Sequence, residues 1–222
     1  MPSQSRYIAL LLSALAAAPA LGAQLKCSAQ ALTSSGLPPI FSAQILSLTA
    51  SPIKASTNAT DNDVCLVTVA TTHPGNGDRI NNFVALPLNN WNGIFQGIGG
   101  GGFLAGKDYD ALNQTLLGYA TAWTDAGLGR SDIHDASAWA LLSPGNVNQT
   151  ALLNFGFRAL HELAVIGKAV THSFYGEEAR HSYWNGCSQG GRQGLAIAQH
   201  FQEDYDGILA DAPAVQWNDL TP

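Results

Sequence analysis

The residues Tyr183-Trp184-Asn185-Gly186-Cys187-Ser188-Gln189-Gly190-Gly191-Arg192 have the types and spacing of a nucleophile elbow. Gly186, Ser188 and Gly190 form G-x-S-x-G, in which a serine stands on a sharp strand-to-helix turn. The flanking glycines let the chains pack closely enough to hold its hydroxyl out of the sheet edge. A serine so placed can attack an acyl carbonyl, provided that a base takes its proton and donors receive the oxyanion. The second candidate is Gly99-Gly100-Gly101-Gly102, which follows the strand-like Ile94-Phe95-Gln96-Gly97-Ile98. Four glycines lose much conformational freedom on folding, and a close approach must offset that loss. The run reads as a backbone N–H donor loop for an oxyanion, or else as a flexible turn or a phosphate cradle. No G-x-x-x-x-G-K-[ST] supports a nucleotide, and the elbow downstream favours the donor loop.

Other polar residues carry less. Asp125, in Thr124-Asp125-Ala126-Gly127, is read as a turn cap through its own backbone bonds rather than as a functional group. His161 and His172 lie off the apolar stripe of their helix and lack metal-ligand spacing, so solvated or core roles are expected.

The elements that must position these groups follow from periodicity. Residues 27–53 mix Ser, Thr and Pro with short apolar runs such as Ile45 to Leu48, and irregular structure with one strand is expected. Thr57 to Asp63 is read as a loop. Val64 to Ala70 and Ile80 to Leu88 are strand-like and flank the turn signal His73-Pro74-Gly75-Asn76-Gly77-Asp78, which predicts an antiparallel pair at the start of the sheet. Leu116 to Trp123 is a further strand. Phe157, Leu160, Ala164, Gly167, Val170 and Phe174 repeat at helical spacing within 151–175, a helix that Gly176 ends. Strand His181–Asn185, a helix from Gln189 to Gln202 and strand Gly207–Ala210 make a right-handed parallel βαβ unit. Ser188 then emerges at the carboxyl end of a parallel strand, where open α/β sheets place their sites.

Composition bounds the setting. Met1 to about Ala23 has the form of a signal peptide: Arg6, an apolar run from Ile8 to Ala18, and small residues at Ala18-Pro19-Ala20 or Ala20-Leu21-Gly22 for cleavage. A secreted, extracellular product is expected, with about 200 residues left for one domain. No later stretch is apolar and long enough to span a membrane. A net charge of −6 with 10 Lys plus Arg offers no basic patch for nucleic acid or anionic membranes. Small molecules are the expected partners. In an oxidising compartment Cys27 and Cys65 are expected to bridge, pinning the N-terminal segment to the first core strand. Cys187 is left over, either as a buried apolar thiol or as half of a bridge to a partner absent from this chain. Asn58, Asn113 and Asn148 each head an N-x-T sequon in a polar, loop-like stretch, which suggests a glycoprotein.

From Trp184 to Gly194 the chain reads W-N-G-C-S-Q-G-G-R-Q-G, followed by Gly207-Ile208-Leu209-Ala210-Asp211-Ala212-Pro213-Ala214. Asn90-Trp91-Asn92-Gly93 precedes the glycine run, and Thr124-Asp125-Ala126-Gly127 comes after it. With these motifs, from about residue 85 to the end, the chain resembles the tannase and feruloyl esterase family of secreted α/β-hydrolases. The resemblance implies an α/β fold with a mostly parallel sheet flanked by helices. It implies Ser188 as the acylating nucleophile, with Gln189 and Gly101 as backbone donors to the oxyanion. It also implies that Cys187 is bridged to a cysteine adjoining the catalytic histidine.

In that family the acid and base lie far downstream, beyond a lid domain that carries a calcium site and most of the substrate pocket. Residues 24–222 are therefore expected to be the N-terminal part of a catalytic domain, without the lid, the triad Asp and His, the rest of the sheet or any cofactor. His200 is twelve residues past Ser188, about 18 Å along the predicted helix, and cannot accept the serine proton. His134, His161, His172 and His181 precede the serine, against the family's order. Leu128 stands where many relatives have a histidine. The resemblance implies hydrolysis of small-molecule or plant cell-wall esters of aromatic, phenolic acids through a serine acyl-enzyme. The competing readings are a lipase or peptidase, and a non-catalytic truncated relative that binds phenolic or cell-wall material.

Overall fold

A computed structural model describes residues 26–40, 43–56, 60–129 and 132–216. The signal-peptide expectation, at 1–23, lies outside these. Helix α1 (Ala29–Ser35) starts at Ser28, whose side chain accepts from the Ala31 N–H, and ends at Gly36, whose φ is 74°. Strands β1 (Gln44–Ser56), β2 (Asp61–Thr72), β3 (Ile80–Pro87) and β4 (Ile94–Ile98) follow, then helix α2 (Asp108–Thr115) and strand β5 (Ala120–Thr124). A short helix α3 (Ser137–Ala140) leads to a two-stranded ribbon, β6 (Leu141–Ser143) and β7 (Asn146–Val147). Helix α4 (Gln149–Leu153), a π turn (Asn154–Arg158) and helix α5 (Ala159–Tyr175) run on as one rod; β8 (His181–Cys187), α6 (Gln189–His200) and β9 (Gly207–Asp211) complete the βαβ unit.

The sheet has the order β1-β2-β3-β5-β4-β8-β9. β1, β2, β3 and β5 pair antiparallel in turn, whereas β5–β4, β4–β8 and β8–β9 are parallel. Every strand except β1 and β3 thus points the same way, and the mostly parallel α/β architecture expected from the sequence is present. Alternation along β2 divides the core: Cys65, Val67 and Val69 join the cluster under α1, α5 and α6, while Val64 joins a cluster with Ala85, Ala111 and Trp123 under α2.

Three expectations need correction. Residues 44–56 form a thirteen-residue strand, so β1 and not β2 opens the sheet, and the loop expected over 57–63 gives way to β2 from Asp61. The one strand expected within 27–53 is present but longer than the run Ile45 to Leu48 marks, since its side chains, Ile45 and Leu46 included, stay largely exposed. The backbone ladder to β2 holds the strand, from Gln44 opposite Thr72 to Ser56 opposite Asp61. As an edge strand it tolerates Pro52 and Lys54. The apolar run 116–123 is divided. Leu116, Leu117 and Gly118 donate N–H groups back to Asn113, Gln114 and Thr115 as the closing turn of α2, and only the residues from Ala120 form a strand. The helix expected over 151–175 is interrupted by the π turn. Gly176 ends it as expected, with φ 73° and its N–H on the His172 carbonyl.

The β2–β3 turn is tied to that rod by a buried polar cluster. His73 places Nδ1 2.7 Å from Asp78 Oδ2 and Nε2 2.6 Å from Glu162 Oε1. A neutral ring carries one N–H, so both contacts are hydrogen bonds only when the ring is protonated or Glu162 keeps its proton. Burial pushes the Glu162 carboxyl upward. Burial also acts to raise Asp78, but the His73 backbone N–H, the Asn154 amide and the His73 ring outweigh it and hold this carboxyl at about 2. In the sequence His73 marks only the start of a turn.

Two outcomes follow. Cys27, just before α1, and Cys65 in β2 are joined across a sequence separation of 38. Replacing Cys27 by Ser in the full-length protein is expected to lower the unfolding free energy by roughly 2–4 kcal/mol in urea titrations, and an unchanged midpoint refutes it. Asp78 is depressed on folding, so its stabilisation is present above the unfolded value near 4 and is lost as pH falls through about 2. Asp78→Asn should therefore destabilise by roughly 1–2 kcal/mol at neutral pH. The gap to wild type should close in that acid window, and a gap that stays constant to pH 2 counts against the assignment.

Candidate active site

β8 delivers Ser188 at its carboxyl end, exposed, with φ 58° and ψ −114°. A non-glycine residue holds such a conformation only when its surroundings impose it. Here three backbone bonds do so: the Ser188 N–H donates to the Asp211 carbonyl at 3.1 Å, and its carbonyl accepts from Arg192 at 3.0 Å and Ala214 at 2.9 Å.

The glycines have a steric cause. A Cβ on Gly186 would lie 2.3 Å from the Gly190 carbonyl oxygen, and one on Gly99 would lie 2.5 Å from the Gly190 Cα. The elbow and the glycine loop therefore meet backbone to backbone, with the Gly190 N–H on the Gly100 carbonyl at 3.0 Å. Gln193, fully buried one turn into α6, locks the loop: its Oε1 accepts from the Gly100 N–H at 2.9 Å and its Nε2 donates to the Ala105 carbonyl at 2.9 Å. Among the described residues the N–H groups of Gly101 and Gln189 find no acceptor. The structure thus brings together Ser188 and the segments of both donors expected from the sequence. Gln193 was missed, because nothing in its spacing distinguishes a buried clamp from a helix-surface glutamine.

Cys187 is exposed and free among the described residues, and a hydrogen bond to the Asp211 carboxylate holds its thiol up. The buried-thiol alternative is set aside. A cavity of about 190 Å³ beside it is lined by Gly99, Gly100, Lys107, Asp110, Asn113 and Cys187 among others. Asn113 is therefore not in a loop but half-buried in α2, with the Thr115 hydroxyl buried on the Leu112 carbonyl. Asn148 is the N-cap of α4, where its Oδ1 accepts from Ala151, and Asn58 lies outside the described residues.

The carboxylate of Asp125 does close its turn, accepting from the N–H groups of Gly127 and Asn81 at 2.8 Å each. Leu128 is buried with Ile80, Trp139 and Phe155. None of the described histidines is hydrogen-bonded to Ser188. His200 stacks on Phe157 at the far end of α6, and His181 begins β8 at the end opposite the serine. His134 is exposed, and His172 is exposed on α5. His161 stacks on Phe201 and meets Asp204, whose hydrogen bond holds the imidazole above its usual range. No cluster of three or more His, Cys, Asp or Glu among the described residues could hold a metal ion.

Arg192 braces the elbow from behind. Its Nε donates to Gln189 Oε1 at 2.8 Å, and its terminal nitrogens donate to the Gly156 and Phe155 carbonyls at 3.0 Å each. Those carbonyls belong to the π turn, where the ordinary helical ladder is broken. Burial lowers the guanidinium to about 10, and it has no carboxylate partner among the described residues.

Residues 65–221 match the family described as "Tannase and feruloyl esterase". The chain belongs to that family. It is 48% identical over 170 residues to a protein named "Probable feruloyl esterase" from Arthroderma benhamiae, covering 75% of this chain and 31% of that one. It is 36% identical over 164 residues to the protein named "Tannase" from Aspergillus oryzae, covering 72% of this chain and 27% of that one. Among solved structures, tannin acyl hydrolase from Aspergillus niger superposes with a TM-score of 0.76 at 30% identity, over 86% of this chain and 37% of that one. Feruloyl esterase B from Aspergillus oryzae gives 0.65 at 27% identity, over 84% and 36%. The chain spans about a third of the length of these tannase and feruloyl esterase relatives. Their names are those of ester hydrolases, and the family-level activity is ester hydrolysis. No helix among the described residues is long and apolar enough to cross a membrane.

The clamp on the glycine loop is testable by stability. Gln193→Leu keeps the bulk but leaves the Gly100 N–H and the Ala105 carbonyl buried without partners. A loss of about 2–4 kcal/mol is expected in denaturant titrations of the full-length protein, and a loss below about 0.5 kcal/mol contradicts the clamp.

Proposed function

We propose that this protein is a secreted serine ester hydrolase of the tannase and feruloyl esterase type, cleaving esters of aromatic, phenolic acids of small-molecule or plant cell-wall origin. The observation that carries the reading is Ser188: a serine held at positive φ at the end of a parallel strand, against a glycine loop with unengaged N–H groups. In this reading Ser188 Oγ attacks the ester carbonyl carbon and loses its proton to a histidine. The N–H groups of Gln189 and Gly101 receive the charge that develops on the carbonyl oxygen. The tetrahedral intermediate collapses with the alcohol as leaving group, protonated by the same histidine. Water then attacks the acyl-enzyme and releases the acid.

The histidine and its carboxylate partner are assigned to parts of the whole protein beyond this chain. Cys187 is assigned to a bridge with a cysteine beside that histidine, and its exposure supports this role. Residues 1–23 serve as the signal peptide, and Asn58, Asn113 and Asn148 as glycan acceptors. The two that are described, Asn113 and Asn148, are both half-buried.

The test uses the full-length protein and methyl ferulate or methyl gallate. Ser188→Ala is expected to lower kcat by at least about 10⁴-fold while the protein stays folded. A fluorophosphonate should mark the peptide carrying Ser188, as read by mass spectrometry. Turnover by Ser188→Ala at the wild-type rate, or modification elsewhere, sinks the proposal. Cleavage of long-chain acyl or peptide substrates in preference to aromatic esters would replace it by a lipase or peptidase reading.

A further inference from the structure

The cluster between the β2–β3 turn and α5 is short of one proton. The side chains of His73, Asp78 and Glu162 are 3%, 6% and 3% exposed, and the two carboxyl groups flank a single imidazole. Nδ1 lies 2.7 Å from Asp78 Oδ2 and Nε2 lies 2.6 Å from Glu162 Oε1. A neutral ring donates only once, so one of these contacts needs a further proton, on the ring or on a carboxyl group.

The two carboxyl groups are unequally supplied with donors. Asp78 Oδ1 accepts from the His73 backbone N–H at 2.8 Å, and Oδ2 accepts from Asn154 Nδ2 at 3.0 Å with Arg158 Nη2 3.7 Å away. These partners suit an anion. Glu162 has the His73 contact on Oε1, while its Oε2 is buried with no hydrogen-bond partner among the described residues. An ionised Glu162 would leave a charged oxygen unpaired there. An un-ionised one turns its O–H to His73 Nε2 and leaves only a carbonyl oxygen unpaired, at far lower cost. The charged groups that face Glu162 are His73 and Asp78 from the turn and Arg158 from the π turn, with His161 beside it on α5. Burial pushes the Glu162 carboxyl upward and Asp78 adds to this, against the attraction of His73 and Arg158.

We propose that the cluster is a proton-held latch: Glu162 stays un-ionised at neutral pH and donates to His73 Nε2, His73 donates from Nδ1 to Asp78, and alkaline loss of that one proton unfastens the turn from the rod. The latch fastens the π turn as well, because Asn154, its first residue, bonds Asp78. It stands independently of the ester hydrolase reading.

Glu162 is raised on folding, so its stabilisation is present below the unfolded glutamate value and is lost as pH rises through the raised one. Between roughly pH 4.5 and 6.5 an unfolded histidine holds the proton that an unfolded glutamate has lost, and the two states bind equal numbers. Above about pH 6.5 the closed cluster holds one proton more than the open one. Each further pH unit then multiplies the opening constant of the latch by about ten until the proton leaves.

The test is hydrogen exchange of the full-length protein, read by mass spectrometry from about pH 7 to about pH 9, with each rate divided by the intrinsic rate at that pH. In the wild type this quotient is expected to rise by about tenfold per pH unit in peptides covering 72–82 and 154–163. In Glu162→Gln, whose amide donates to His73 without a titrating proton, it is expected to stay level. At about pH 7 the infrared difference between wild type and Glu162→Gln should contain the carbonyl stretch of one un-ionised carboxyl group. A level quotient in the wild type overturns the latch even if Glu162→Gln does not fold. A quotient that climbs equally in folded Glu162→Gln, or the absence of the carbonyl band, overturns it too.

Discussion

The contact on which the rest of this structure depends is the meeting of two backbones, where Gly190 of the elbow helix lies against Gly99 and Gly100 of the loop after β4. No side chain fits between them, so the axis of α6 and the path of the loop are fixed relative to each other within a fraction of an ångström. The positive φ of Ser188 follows from this closeness, because the chain must reverse from β8 into α6 without lifting the helix off the loop. The ladder continues outward, with Cys187 paired to Asp211 on β9 and Ala214 returning an N–H to the Ser188 carbonyl. Strain at one residue is thus held by hydrogen bonds from the end of β9 and from α6, which is the condition under which such a conformation persists.

The π turn plays the complementary part on the helical side. Widening the helix at 154–158 turns the carbonyls of Phe155 and Gly156 toward Arg192. On its other flank, Asn154 donates to Asp78 Oδ2 at 3.0 Å and accepts from Arg158 at 2.8 Å. One irregular turn therefore joins the half-buried guanidinium behind the elbow to the buried His73–Asp78–Glu162 cluster behind the β2–β3 turn. A regular helix would satisfy its own carbonyls and leave the half-buried Arg192 without those partners.

Much of this was legible in the sequence because the signals were local. The elbow, the βαβ unit and the Asp125 turn are each written within a few residues by glycine spacing or a carboxylate that bonds its own backbone. The α5 stripe is written by a period. What was not legible is held by partners distant in the chain. Strand β1 lacks an apolar pattern and exists through backbone bonds to β2. The role of Gln193 appears only once Gly100, 93 residues away, is beside it. His73 looks like turn punctuation until Glu162, 89 residues on, closes against it. The π turn has no periodic mark at all, since one added residue in a helix shifts the stripe by less than its own width.

The same division between local and distant contacts bears on how the proposed chemistry is assembled. The proposed nucleophile and oxyanion donors sit at the turns that follow two adjacent parallel strands, β8 and β4. Three of the described histidines are committed elsewhere: His73 between two carboxylates, His161 to Asp204, His200 to Phe157. None of these three can move to Ser188 without abandoning a carboxylate contact or a ring stack, and His134 and His172 are exposed with no bond to the serine. In the proposed mechanism the proton acceptor must therefore reach a serine that is already aimed, and it needs only to be tethered at the right distance. An exposed Cys187, one residue before the nucleophile, is the natural place for such a tether: a bridge there constrains a second chain segment beside Ser188 without touching the glycine contact that orients it. The oxyanion half then gains nothing in geometry from the base, so loss of that tether is an error in proton transfer and not in carbonyl recognition.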